Sequence, residues 1–581
     1  MIGKFTLTVF LFVLLISGNT LGQDLLAVKK TEFVVGEPSQ KQAFEKVKEA
    51  SALYEKGLGY VVQSLSLFLG AFEVNDANAE LNYNIGLCYL IAGPRAEALP
   101  YLLSAQSLRP NLSEDIHFLI ALAYKYQYNF AKAIVHFKMN KELIKSSYHK
   151  EQNELLSICD KHIQECLNAR FLLENMSGPK VVMLEGSVNS EFDEFNPQII
   201  DKNLFFSSRR GMNGENRSPE DQKYFENLFK SSKEEQLWSH VKKEENNLGG
   251  NVNYTLLTQA ADNQFVFYNS KSGFGDLFWA KIVKGKWTID KELKFINSNY
   301  SRESSASIPK SGDEIYFVSD RKEGFGECDI YYSTRISKSK WSEPMNIGGD
   351  INTEYDEGDV FISPDGNKLF FSSKGHNSMG GYDIFYCERE VDGAWGNPRN
   401  MGFPLNSVDN DITYREDEGG VFYFASDRSG GKGGFDIYRE KEIETIKKES
   451  TLAQEPSVEE IQESEIEVSR SIEIVSAKND TIKLSASPIK QKLVEEDFVY
   501  RVQIAASRKK MDSMDIYKRY KGQGVVEHLF VENWHKYTIG RFLTFKEAAK
   551  YRDNCGVKDA FVVLFKGGIR LGIARRPFAL N

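Results

Sequence analysis

The 581-residue chain contains only six cysteines and fifteen prolines, and it has no excess of basic charge. A net charge of −9 leaves no phosphate-binding field, so a nucleic-acid partner is excluded as an expectation. None of the cysteines (Cys88, Cys159, Cys166, Cys328, Cys387, Cys555) forms a CxxC pair. Cys159 and Cys166 lie seven apart on a helix-like stretch. Helical rise separates their backbones by roughly 10 Å, too far for a disulfide. All six therefore read as buried apolar thiols. There is no GxSxG elbow, no HExxH zinc helix and no GxxxxGK[ST] loop. The eight histidines are dispersed. No nucleophile, metal set or cofactor site is named by any of these absences, and the expectation is a non-enzyme. A hydrolase with an unrecognised site is the remaining catalytic alternative.

The first residues carry Lys4, an apolar run from Phe5 to Ile16, and small residues leading to a cut between Gly22 and Gln23. That pattern predicts a secretory signal over residues 1–22, and the run is shorter than the ~20 residues that span a bilayer. No later segment is apolar enough to cross a membrane, so export to a periplasm is expected.

Three phased repeats follow. Ala52, Gly86 and Ala121 fall 34 and 35 apart, each beginning a pattern of apolar residues at helical spacing. In the clearest copy Ile85, Gly86 and Tyr89 are followed by Ala98, Leu102, Ala105 and Pro110. Small residues there let two antiparallel helices approach, and the proline ends the second. The pattern resembles tetratricopeptide repeats and predicts an α-solenoid over residues 41–175, closed by a helix over 151–174. The resemblance implies a concave groove lined by Tyr83, Leu87, Phe118, Leu122 and Tyr126. Either a partner's apolar or aromatic segment fills that groove, or the next domain packs on it.

From Val181 the period changes. Asp276, Asp329, Asp383 and Asp436 are 53, 54 and 53 apart, and Trp287, Trp341 and Trp395 keep a spacing of 54. Each block reads apolar-Asn-Ser/Thr, a strand, Ser-Asp-Arg, a Gly-rich turn, Asp-Ile-Tyr, and a strand around the tryptophan. Four short strands per unit predict a β-propeller over residues 180–440, with five blades favoured over six. The fifth copy lacks its last strand, and Val181 to Leu184 can supply it, closing the ring. Asp320, Arg321, Asp329, Asp383, Asp427, Arg428 and Asp436 recur from blade to blade, so they are read as ties within the hairpins rather than as catalytic or metal-binding groups. His376 is read as a loop residue. The blocks resemble the WD40-like propeller repeats of the translocation protein TolB and of Bacteroidota envelope proteins. That resemblance implies a protein-docking surface.

Residues 441–497 are rich in Glu, Ser and Lys and read as a flexible acidic linker. Order returns over residues 498–577 with a strand at Phe498–Ser507, a helix from Met511 to Tyr520, a strand at His535–Phe542, a helix at Phe545–Asn554 and a strand at Ala560–Phe565. Val502-Gln503-Ile504, Ile539-Gly540-Arg541-Phe542 and Ala560-Phe561-Val562-Val563 resemble the SPOR domain, a small α+β fold. The resemblance implies binding to peptidoglycan glycan strands, with Gln503 at a matching position. Strand alternation puts Arg501, Gln503, Lys536 and Thr538 on an open face, and Arg501, Thr538 and Trp534 join Gln503 as glycan-binding candidates. The whole order is similar to a peptidoglycan-anchoring component of the type IX secretion and gliding machinery, although that family ends in an OmpA-like domain. The expected function is a scaffold that docks envelope or outer-membrane proteins and anchors them to peptidoglycan. A division or cell-wall remodelling factor recruited by denuded glycan is the alternative.

Overall fold

The computed structural model describes residues 24–441 and 498–573 apart from short internal stretches, the longest at 246–251 and 512–519. The signal region and the linker lie outside the described residues, as does most of the helix expected at Met511–Tyr520. The chain divides into two compact units, residues 1–443 and 444–581.

The first unit opens with an extended segment, residues 24–28, and the short helix α1 (Lys30–Phe33). Three helix pairs follow: α2 (Pro38–Tyr54) with α3 (Val61–Phe72), α4 (Ala79–Ala92) with α5 (Ala98–Leu108), and α6 (Ile116–Tyr126) with α7 (Phe130–Ser146). Asn78 and Asn129 cap α4 and α7 by accepting the backbone N–H of Leu81 and Lys132. At Gly86 a Cβ would overlap the Leu102 side chain, so only glycine lets α4 and α5 approach this closely. A long helix, α8 (Gln152–Glu174), covers the last pair, as the expected closing helix does.

Five antiparallel sheets come next. They are β2 (Glu194–Ile200), β3 (Asn203–Ser208), β4 (Asn227–Glu234) and β5 (Leu237–Lys243); then β6 (Tyr254–Ala261), β7 (Gln264–Asn269), β8 (Asp276–Val283) and β9 (Lys286–Glu292). The third holds β10 (Glu303–Ser307), β11 (Glu314–Ser319) and β12 (Asp329–Ser337), with β13 (Lys340–Trp341) and β14 (Met345–Asn346) both on β12. The fourth holds β15 (Glu357–Ile362), β16 (Lys368–Ser373), β17 (Asp383–Glu388) and β18 (Arg399–Asn400). The fifth runs β19 (Asp411–Glu416), β20 (Phe422–Ser426), β21 (Asp436–Glu440), and its outer strand is β1 (Val181–Met183), paired Val181 to Glu440 and Met183 to Tyr438. The first strands β2, β6, β10, β15 and β19 each touch the next, and β19 touches β2, which closes a five-bladed ring. The centre is nearly filled: a void of about 10 Å³ remains, lined by Asn196, Thr255, Ser304, Asp359 and Thr413, one from each blade.

The apolar-Asn motif explains how blades join. Asn352 accepts the Ile330 N–H and donates to the Ile330 carbonyl, both at 2.9 Å. Asn297 does the same to Leu277, Asn406 to Ile384, and Asn189 to Ile437 across the ring closure. Each asparagine thus clasps the third strand of the preceding blade. The tryptophans serve the same joints: Trp287 lies between Phe205 of the first blade and Phe265 of the second, with ring centroids at 5.7 and 4.7 Å. Trp395 was expected in an outer strand, but that strand is Arg399–Asn400. Trp395 makes only an isolated bridge to Arg389, because its ring turns inward against Tyr316 of the neighbouring blade.

The second unit is a five-stranded antiparallel sheet in the order β23 (Val526–Val531), β24 (Trp534–Phe542), β22 (Phe498–Ser507), β25 (Phe561–Lys566), β26 (Ile569–Ile573). Helix α9 (Phe545–Asn554) packs Ala548 against Tyr500, Val562 and Leu564. The edge strands β23 and β26 were not anticipated.

Candidate functional site

The helical layer and the propeller face each other within the first unit. The turn Arg95–Glu97 between α4 and α5 carries Arg95 across the joint, where it donates to Asp409 at 2.8 Å and to Asp427 at 2.7 Å. Burial strips water from all three groups, and the two carboxylates hold the guanidinium charged. Asn168 of α8 donates to the Ser378 carbonyl, and Lys161 sits 4.8 Å over the Tyr355 ring. Met379 and Val408 of the fourth and fifth blades are buried in the same apolar cluster as α4, α6 and α8.

Between these contacts lies a cavity of about 650 Å³. Leu87, Phe118, Leu122 and Tyr126 line it. Tyr83 is elsewhere: it is fully buried, and its hydroxyl donates to the Asp115 carboxylate at 2.8 Å. The propeller packs over the groove and leaves this cavity between the two layers. Lys125 donates to Glu165 at 2.5 Å, Lys161 pairs with the same carboxylate, and Lys374 pairs with Asp356 at 2.5 Å. Burial keeps His162 below the usual histidine range. The segment before α1 also enters here. Leu26 donates its N–H to Asn84 Oδ1 at 2.8 Å, and Asn84 Nδ2 donates back to the Leu26 carbonyl at 2.9 Å. Asp24 then reaches the cavity. Sequence reading missed this clasp, because Asn84 looks like any polar helix residue.

The repeated blade residues take structural roles. Asp329 accepts the backbone N–H of Phe325 and Gly326; Asp383 accepts those of Met379 and Gly380, and Asp436 those of Lys432 and Gly433. Asp320 accepts the Arg302 N–H, and Asp427 the Asn410 N–H. Arg321 donates to the Ile296 carbonyl and pairs with Glu303; Arg428 donates to the Leu405 carbonyl and pairs with Asp411. The carboxylates at Glu194, Glu303, Glu357 and Asp411 went unnoticed in the sequence, where they lack a fixed residue type. In the fourth blade the arginine is missing, and His376 Nε2 meets the Ile351 carbonyl at 2.8 Å instead.

The glycan-binding candidates are not on an open face. Gln503 is 4 % exposed, Arg501 9 % and Thr538 0 %, and Lys536 is buried beside them. Strand alternation assumed one solvated face, but this one also carries Phe561, Val563 and Phe565, with Arg501 lying 4.8 Å over the Phe565 ring. Trp534 remains half-buried with Arg508 at 4.7 Å over its ring.

Among the described residues no group of three or more His, Cys, Asp or Glu is placed to hold a metal ion, and no helix is long and apolar enough to cross a membrane. No family model and no curated protein matches the chain. Solved structures similar to it include a TolB of Agrobacterium tumefaciens (12% identity, 41% of this chain and 70% of that one, TM-score 0.24). Others are a GH43 β-xylosidase/α-arabinofuranosidase from a compost metagenome (11%, 45% and 94%, TM-score 0.30) and a puromycin hydrolase (11%, 43% and 39%, TM-score 0.26).

Proposed function

We propose that this chain is a non-enzymatic periplasmic scaffold that holds envelope or outer-membrane proteins on its first unit and peptidoglycan on its second. The observation that carries the docking half is the roofed cavity: apolar repeat helices and propeller loops enclose about 650 Å³. The anchoring half is supported by the SPOR-like sequence of the tail. With Gln503, Arg501 and Thr538 buried, Trp534 and its Arg508 neighbour are the groups through which a sugar ring would stack. The domain order favours an assembly of the type IX secretion or gliding kind.

Pelleting with purified cell-wall sacculi tests the reading. The full-length chain is expected to sediment with them, a chain ending at Lys441 to stay in solution, and Trp534→Ala to lower the bound fraction severalfold. Equal sedimentation of the full-length and shortened chains would remove the anchoring half.

A further inference from the structure

The cavity's charges do not balance, and that imbalance specifies its occupant. Eight carboxyl side chains line it against four from lysine and arginine. All four cations are already committed: Arg95 to Asp409 and Asp427, Lys125 and Lys161 to Glu165, and Lys374 to Asp356. Asp24, Glu154, Glu327 and Glu354 line the same space with no ion-pair partner among the described residues. Partial burial and the nearby Asp356 carboxylate raise the Glu327 carboxyl above its usual value, with the Lys374 ammonium opposing them. On the helical side the lining includes the apolar Leu87, Leu90 and Ile91 of α4 and Phe118, Leu119 and Leu122 of α6. The volume falls in the ~300–1,000 Å³ range of ligand-holding cavities.

The same groove already accepts one extended backbone. Leu26 is clasped through its N–H and carbonyl by Asn84, Leu25 packs among the helices, and Asp24 lines the cavity. An extended strand with alternate side chains inward and outward suits a site that is apolar on one wall and acidic on the other. Resting on the docking reading above, we infer that the cavity receives an extended segment of a partner polypeptide in which apolar residues alternate with lysine or arginine. The apolar side chains lie on α4 and α6, and the cations meet Glu327 and Glu354 at the propeller rim.

The test uses the full-length chain and a fluorescein-labelled octapeptide of alternating leucine and lysine, with a leucine–glutamate octapeptide as its counterpart, at physiological salt. Fluorescence anisotropy is expected to give the lysine peptide an affinity on the order of tenfold or more above that of the glutamate peptide. The double variant Glu327→Lys/Glu354→Lys changes two exposed rim residues and should erase that preference. Glu418→Lys, an exposed acid on the β19–β20 turn, controls for non-specific attraction and should leave the preference intact. Equal binding of the two peptides, or the same loss from the control as from the double variant, overturns the inference. Sedimentation with sacculi is independent of both peptides. A chain that pellets but ignores them keeps its anchoring role, whereas one that binds them but does not pellet loses the anchor alone.

Discussion

Glu357 and His376 show how one substituted residue changes the electrostatics of a whole blade. Arg210, Arg321 and Arg428 each neutralise the carboxylate at the start of their blade. Glu357 receives only hydroxyl and backbone donors, from Thr353 and Ser373, and burial pushes its carboxyl up to about 8. Its folded value lies above the unfolded 4.5, so its contribution is fully present below about pH 4.5 and is lost as pH rises through about 8. Asp383 and Glu226, raised by burial to about 8 and about 7, act in the same direction. His376 acts oppositely at acid pH, because burial holds its pKa below the usual histidine range and protonation would cost stability. The urea midpoint should therefore fall between pH 5 and 8, and Glu357→Gln should flatten that slope. His376→Arg restores the missing cation and should add about 1–2 kcal/mol at pH 8. The sequence marked His376 as a loop residue, but nothing local told that its ring stands in for a guanidinium.

At the scale of elements, the helix pairs and blades were legible because their period is imposed by geometry that every copy shares. Gly86 was recognised as a close-approach position, and the Leu102 side chain over it gives that reading physical content. Gly86→Val should cost about 1–3 kcal/mol by overpacking, read from the shift in unfolding midpoint. Less legible was the reason for the recurring asparagine. Its clasp spans 20 residues to Leu277, 22 to Ile330 and 248 to Ile437, so only the last reveals that the motif closes a ring. Asn352→Ala removes the acceptor of the Ile330 N–H, while Ile347 still donates to the Ile330 carbonyl, and should destabilise by roughly 1–3 kcal/mol. The tail failed differently. Period-two alternation separates two faces of a strand but does not say whether the second is wet, and Val563 with Phe565 decided that it is dry.

At the scale of the molecule, what escaped the sequence was the joint between helices and propeller. Arg95 lies 314 residues from Asp409 and 332 from Asp427, and although Asp427 recurs with the blades, no period ties it or Asp409 to Arg95. Arg95→Ala strands two buried carboxylates and should cost about 3–5 kcal/mol. Calorimetry should show the single transition of the first unit broadening or splitting, as the helical layer loosens from the ring.

The pairing that closes the ring also fixes how the chain would carry load. Val181 of β1 lies opposite Glu440 of β21, and the Lys441 N–H donates to the Lys180 carbonyl at 2.8 Å, so the polypeptide enters and leaves the propeller at one point. Tension between the helical layer and the segment after Lys441 would pull these strands apart end-first, breaking their bonds one after another. The Arg95 clamp offers the pull a shorter route, from the helices straight into the fifth blade. Stretched from its two ends, the chain would load the β1–β21 pairing and the Arg95 clamp together, before the other four blades.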